Sequence, residues 1–198
     1  MILGKNALLD KYREYLTVVG YSFEYEFEDG NVLAYSLKKT YFPHLIGLHK
    51  LSDIPIIADF NNPQKTTVSA GFVTSRIKKE RFLTDAIVQA SIYYPKIKDR
   101  YNNFSRDNLL TLTYTDVIVD FNSELIGSTL KSKYILYESK NCGYNHLGIA
   151  FDNAQKPYVE TFFFNSDEMY MRNQKVMKIK KACIFDKTGA LYLEDKFL

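Results

Sequence analysis

The chain has 198 residues, 46% of them apolar, and 26 Lys plus Arg against 23 Asp plus Glu give a formal charge of +3. That balance describes a globular protein long enough to bury its own core, and it excludes disorder or low complexity as the main state. The charge permits nucleic-acid binding but does not argue for it. Residues 5–19 carry Leu8, Leu9, Tyr12, Leu16 and Val19 at helical spacing, and Gly20 suits the C-terminal cap. Lys5, Asp10, Lys11, Arg13 and Glu14 break up this stretch, so no signal peptide is expected. Residues 21–28 alternate aromatic and acidic side chains, which predicts a strand with its aromatic face inward. Asp29-Gly30-Asn31 is turn chemistry, and residues 32–37 return as the second strand of a hairpin.

Residues 41–51 break the alternation, and Pro43 suits the first turn of a short, partly buried helix. Residues 53–63, with Pro55, Asn61, Asn62 and Pro63, read as a loop. Residues 66–92 read as helical in two pieces, with Arg76, Lys78, Lys79 and Arg81 exposed. Short helices are expected over 95–110, with Asp107 as an N-cap. Strands then follow at 114–121, 133–139, 146–152, 157–164, 175–185 and 190–194, joined by short polar turns in the manner of an antiparallel meander. The expected fold class is α+β in a single domain, 1–198: a mostly helical half, 1–111, carrying hairpin 21–38, packed on an antiparallel sheet over 112–198.

The chain has three histidines. His44 and His49 are five apart, roughly 140° around a continuous helix, so they are not expected to share a face. His44 suits either an imidazole aimed into a cleft or a ring that packs the Pro-initiated turn. His146 opens an apolar strand, as a cleft residue or a surface histidine. Glu160 and Thr161 interrupt an apolar run and point to opposite faces; Thr161 could meet a phosphate oxygen or merely serve strand propensity. Lys178 and Lys180 share a strand face within the acid-free run 172–181, which would track a phosphate backbone or protect a solvated edge strand. Cys142 and Cys183 are distant and read as free thiols of a reducing compartment. No apolar window approaches the roughly 18 residues of a membrane span, so a cytoplasmic location is expected. Glycine-rich phosphate loops and serine-hydrolase elbows do not occur. Asp120 with Glu138-Ser139-Lys140 resembles the metal site of PD-(D/E)xK nucleases, in which carboxylates hold a hard divalent ion.

The segment Tyr41-Phe42-Pro43-His44-Leu45-Ile46-Gly47-Leu48-His49-Lys50 resembles the F-x-H-L-x-G-L-x-K signature of a phage- and plasmid-borne nuclease-like family, the fourth of the PBECR type, named for barnase, EndoU, colicins and RelE. Residues 145–150 and 158–163 resemble its C-terminal strands, and the match spans about Leu8 to Phe185. The resemblance implies a barnase/RelE-like fold and metal-free RNA cleavage with no cofactor: a base frees the 2′-oxygen to attack phosphorus, and an acid protonates the leaving 5′-oxygen. It implies a toxin or mobile-element effector, with RNA as partner and an immunity or antitoxin protein beside it. On this reading His44 and His146 are the acid–base candidates. Lys50 and Thr161 contact phosphate, Glu160 orients or acts as a base, and Lys140 is a further cation, with Lys178 and Lys180 as backbone contacts. Two alternatives stand beside it: a non-catalytic RNA- or protein-binding module on the same scaffold, and a Mg-dependent nuclease using Asp120, Glu138 and Lys140.

Overall fold

A computed structural model of the protein describes residues 6–110, 114–140 and 142–197. Residue 5, at the start of the expected first helix, and residue 112, at the expected change from helix to strand, lie outside the described residues. The α+β class holds: helices occupy the N-terminal half and a curled antiparallel sheet takes most of the rest. The chain divides into two compact units, Met1–Val18 with Lys38–Leu109, and Val19–Leu37 with Leu110–Leu198.

The first unit contains α1 (Ala7–Val18), α2 (Phe42–Leu45), α3 (Pro55–Asn61), α4 (Ala70–Lys78), α5 (Asp85–Ala90), α6 (Lys98–Asn103) and α7 (Arg106–Leu109), linked by short 3-10 turns. α1 buries Leu8, Leu9, Tyr12, Tyr15 and Val18, so its inward face is turned from the one expected and leaves Leu16 exposed. Tyr15 decides this. Its ring packs on Phe42 (5.5 Å) and Phe104 (6.0 Å) while its hydroxyl donates to the Lys38 carbonyl at 2.7 Å. An aromatic body with a satisfied polar tip outweighs one leucine. The expected loop 53–63 contains α3, because Pro55 sits in the first helical turn, where its missing N–H costs nothing. Asp107 lies inside α7, and the Ser105 hydroxyl instead accepts from the Asn108 N–H at 3.2 Å. No helix among the described residues is long and apolar enough to cross a membrane.

The second unit is an eight-stranded sheet: β1 (Ser22–Phe27), β2 (Val32–Ser36), β3 (Asp116–Val119), β4 (Tyr134–Lys140), β5 (Gly143–Phe151), β6 (Pro157–Asn165), β7 (Lys175–Phe185) and β8 (Leu191–Lys196). Phe23, Tyr25 and Phe27 are buried and Glu24 is exposed, as the alternation in β1 predicts. The strand order is β2-β1-β7-β3-β4-β5-β6, with β8 also on β7. The meander therefore runs only from β3 to β6. β7 then crosses back between β3 and β1, which makes the hairpin part of the main sheet and β7 an interior strand, so the solvated-edge reading of its lysines, one of the two offered for them, does not hold. The sheet curls until β2 approaches β6. Tyr25 packs against Tyr35 and Tyr114, and Phe27 meets Tyr134 at 5.7 Å.

Candidate functional site

The His44 segment is built on a buried frame. Phe42, Leu45, Ile46, Leu48 and Leu51 are all fully buried, which fixes the backbone and leaves His44 and Lys50 outside. The segment is not one helix. α2 ends at Leu45, Gly47 takes φ +87°, and a 3-10 turn over Leu48–Lys50 starts in a new direction. Only glycine adopts that φ without strain. A Cβ at Gly47 would also meet Ile97 Cγ2 at 2.9 Å and Arg100 Cδ at 3.0 Å.

The turn overrides the helical-wheel expectation for the two histidines. The His44 and His49 rings lie 5.0 Å apart, and Phe60 packs on His44 at 5.2 Å. Arg100 Nη1 donates to the His44 carbonyl at 3.4 Å, and Asn61 Nδ2 donates to the His49 carbonyl at 2.7 Å. His44 is exposed; His49 is half-buried behind it, with a buried Nδ1 that lacks a hydrogen-bond partner among the described residues. Burial first, then the nearby His44, Arg100 and Lys50, lower the His49 pKa to about 3. At neutral pH His49 is therefore a neutral ring. The cluster offers one exposed imidazole, a neutral imidazole behind it and two cations alongside. That set can move a proton and stabilise an anion. Sequence reasoning set His49 aside and missed Arg100; the glycine at 47, which interrupts the helical wheel, was the available signal.

The remaining predicted residues belong to the sheet unit. His146 is 0% exposed. It stacks on Phe163 (4.6 Å, 3°), with Tyr170, Tyr137 and Tyr144 around it. Neither ring nitrogen makes a well-formed hydrogen bond among the described residues, and burial lowers its pKa to about 4. A ring so enclosed is a packing element, which corrects both expectations for it, cleft residue and surface histidine. Thr161 shares its sheet face, buried opposite Gly148. Glu160 is the extra residue of a β-bulge, since Gly148 pairs with Thr161 and Ile149 with Val159. Its carboxylate accepts from the Lys131 N–H (3.0 and 3.1 Å) and the Ser132 hydroxyl (2.6 Å), tying down that loop.

The lysine stripe is neutralised across the strands. Lys178 pairs with Asp116 at 2.5 Å, Lys180 with Glu26 at 3.8 Å and Lys181 with Glu194 at 2.5 Å. Lys140 pairs with Glu138 at 2.8 Å, and Asn145 Nδ2 donates to the same carboxylate at 3.0 Å. Glu138 is 3% exposed; burial above all, with the nearby Glu138 charge adding to it, raises the pKa values of Tyr25 and Tyr114, so these hydroxyls stay protonated. The buried tyrosines around Glu138 also escaped sequence reasoning, because they come from strands distant in the chain. The metal reading fails on register. Val119 pairs with Tyr134 and Asp116 with Tyr137, so Asp120 and Glu138 sit at opposite ends of the β3–β4 ladder, roughly 16 Å apart at ~3.3 Å per residue. Asp120 is exposed and faces Lys133 at 3.8 Å. Two carboxylates so placed do not share one ion.

The model of a family described as phage-Barnase-EndoU-ColicinE5/D-RelE like nuclease 4 matches residues 7–192. No curated protein and no solved structure matches the chain.

Proposed function

This chain belongs to that nuclease-like family, and on that footing we propose that it is a metal-independent endoribonuclease whose proton transfer centres on His44. The observation that carries the reading is the contact of the two imidazoles at 5.0 Å with Lys50 and Arg100 beside them. His44 takes the proton of a ribose 2′-hydroxyl. The 2′-oxygen then bonds to the adjacent phosphorus, the P–O5′ bond breaks, the departing oxygen takes a proton from water, and the hydroxide left behind takes the proton held on His44, which restores the ring. The products are a 2′,3′-cyclic phosphate and a 5′-hydroxyl. Lys50 and Arg100 supply positive charge for the non-bridging oxygens as negative charge builds on them. His49, neutral behind His44, positions that ring. Such an enzyme suits a toxin or mobile-element effector checked by an immunity protein.

The test is RNA incubated with the protein in EDTA. The wild type is expected to leave cyclic-phosphate ends, and His44→Ala to lose about 100-fold or more in rate with an unchanged melting temperature, because the side chain is exposed. A wild-type rate in His44→Ala, or a strict need for Mg²⁺, overturns the proposal. Saturable RNA binding by the wild type without turnover would favour the binding-module reading instead.

A further inference from the structure

The end of α4 carries a feature that the His44 cluster does not use. Arg76, Lys78, Lys79 and Arg81 fall within six residues, and among the described residues none of the four has a carboxylate at ion-pair distance. The one acid among them, Glu80, accepts from Asn6 Nδ2 at 3.3 Å. Phe82 follows, 69% exposed. The Arg76 guanidinium lies 4.5 Å from the centre of the Phe72 ring and 5.5 Å from that of Phe82, so it bridges the two rings.

Helix capping explains part of this. Arg81 N–H bonds to the Arg76 carbonyl and Glu80 N–H to the Ile77 carbonyl, a Schellman-type ending in which Glu80 takes φ +51°. Basic side chains in the last turn also complement the helix dipole. Neither effect accounts for Phe82, a bulky residue at φ +65° with most of its ring in water. Backbone strain of this kind is held where the surroundings impose it, and here it presents an aromatic face beside unpaired cations.

We propose that the α4 end, with Phe82 as stacking platform and Lys78, Lys79 and Arg81 as phosphate contacts, is a binding surface for single-stranded nucleic acid. The charge selects a polyanion, and the exposed ring selects one whose bases are free to stack. A duplex has the charge, but its base faces are covered. The inference deepens the ribonuclease reading by naming how the substrate strand is held, and it is tested without cleavage.

The probe is a fluorescein-labelled 2′-O-methyl RNA 12-mer, which has no 2′-hydroxyl to attack, followed by anisotropy with the full chain across a salt series. Phe82→Ala is expected to weaken binding roughly 5- to 100-fold with the salt slope unchanged. Phe82→Tyr keeps the ring and is expected to bind like the wild type. The double variant Lys78→Gln/Lys79→Gln is expected to lower the slope of log K against log salt by about 1.4. A matching RNA duplex should compete poorly. All these side chains are exposed, and unchanged thermal melts confirm that the fold is intact. No binding by the wild type overturns the inference, as does wild-type binding in Phe82→Ala, an unchanged salt slope in the double lysine variant, or a duplex that competes equally. Because the probe cannot be cut, these outcomes are independent of whether His44→Ala abolishes turnover.

Discussion

Replacing His146 with phenylalanine is expected to stabilise the protein, and to do so more as the pH falls. The ring is wholly buried, stacked on Phe163, and both nitrogens lack well-formed hydrogen bonds among the described residues. A buried polar group without a partner costs about 1–3 kcal/mol, and a planar phenyl ring removes that cost while keeping the stack, its one extra ring atom offsetting part of the gain. The acid limb adds a second effect. The folded pKa is about 4, whereas the unfolded ring titrates near ~6.5. The unfolded chain therefore binds the proton first. The stability is fully present above the unfolded pKa and drains as pH falls from there through the folded value. At pH 5 the loss is roughly 2 kcal/mol relative to pH 8. His49, with a pKa of about 3, loses stability in the same direction and remains in the variant. Urea unfolding at pH 8, 6.5 and 5, followed by circular dichroism, gives the two profiles. The variant should start above the wild type and fall less steeply by about 2 kcal/mol at pH 5. Parallel profiles, or a variant weaker than the wild type at pH 8, would refute the account of this ring.

Three other outcomes follow from the geometry. Gly47→Ala combines φ +87° with a Cβ 2.9 Å from Ile97 Cγ2, so a loss of roughly 1–3 kcal/mol is expected, measured by thermal melting; an unchanged melt would mean that the turn relaxes freely. Glu160→Gln weakens three bonds to residues 131 and 132, which should cost about 1–2 kcal/mol and open the 128–132 loop to limited proteolysis; wild-type protease resistance would deny the carboxylate that role. Asp120→Ala should change stability by no more than about 1 kcal/mol, since the carboxylate is 71% exposed but the residue holds φ +50°, and leave cleavage untouched, since it lies at the far end of the β3–β4 ladder from Glu138; lost cleavage would restore the two-carboxylate metal reading.

Local pattern predicted most elements and few of their relations. The alternation Phe23, Tyr25, Phe27 marked its strand and buried face, because a hairpin with one dry side leaves two-residue periodicity in the chain. The Pro55–Asn61 segment reads as a loop in sequence because prolines and asparagines bound a short helix as readily as they mark a turn. The position of β7 left no local mark: its lysines look like an exposed edge until Asp116, Glu26 and Glu194 are brought beside them from three other strands. In the candidate site, the His44 motif was visible as a string of residues. The meeting of His44 with His49 was hidden by treating a glycine-broken segment as one continuous helix.

The pairing of Ser22 with Phe185 and of Phe27 with Ile179 has a consequence for synthesis on the ribosome. The first hairpin is made early, yet the strand that completes it emerges some 150 residues later. Throughout that interval β1 keeps an open row of backbone donors and acceptors, a standing invitation to pair with the wrong chain. Closing so large a loop also makes native sheet formation a late and slow event. A nascent chain stopped short of β7 would thus carry the complete His44 segment and still lack a closed sheet.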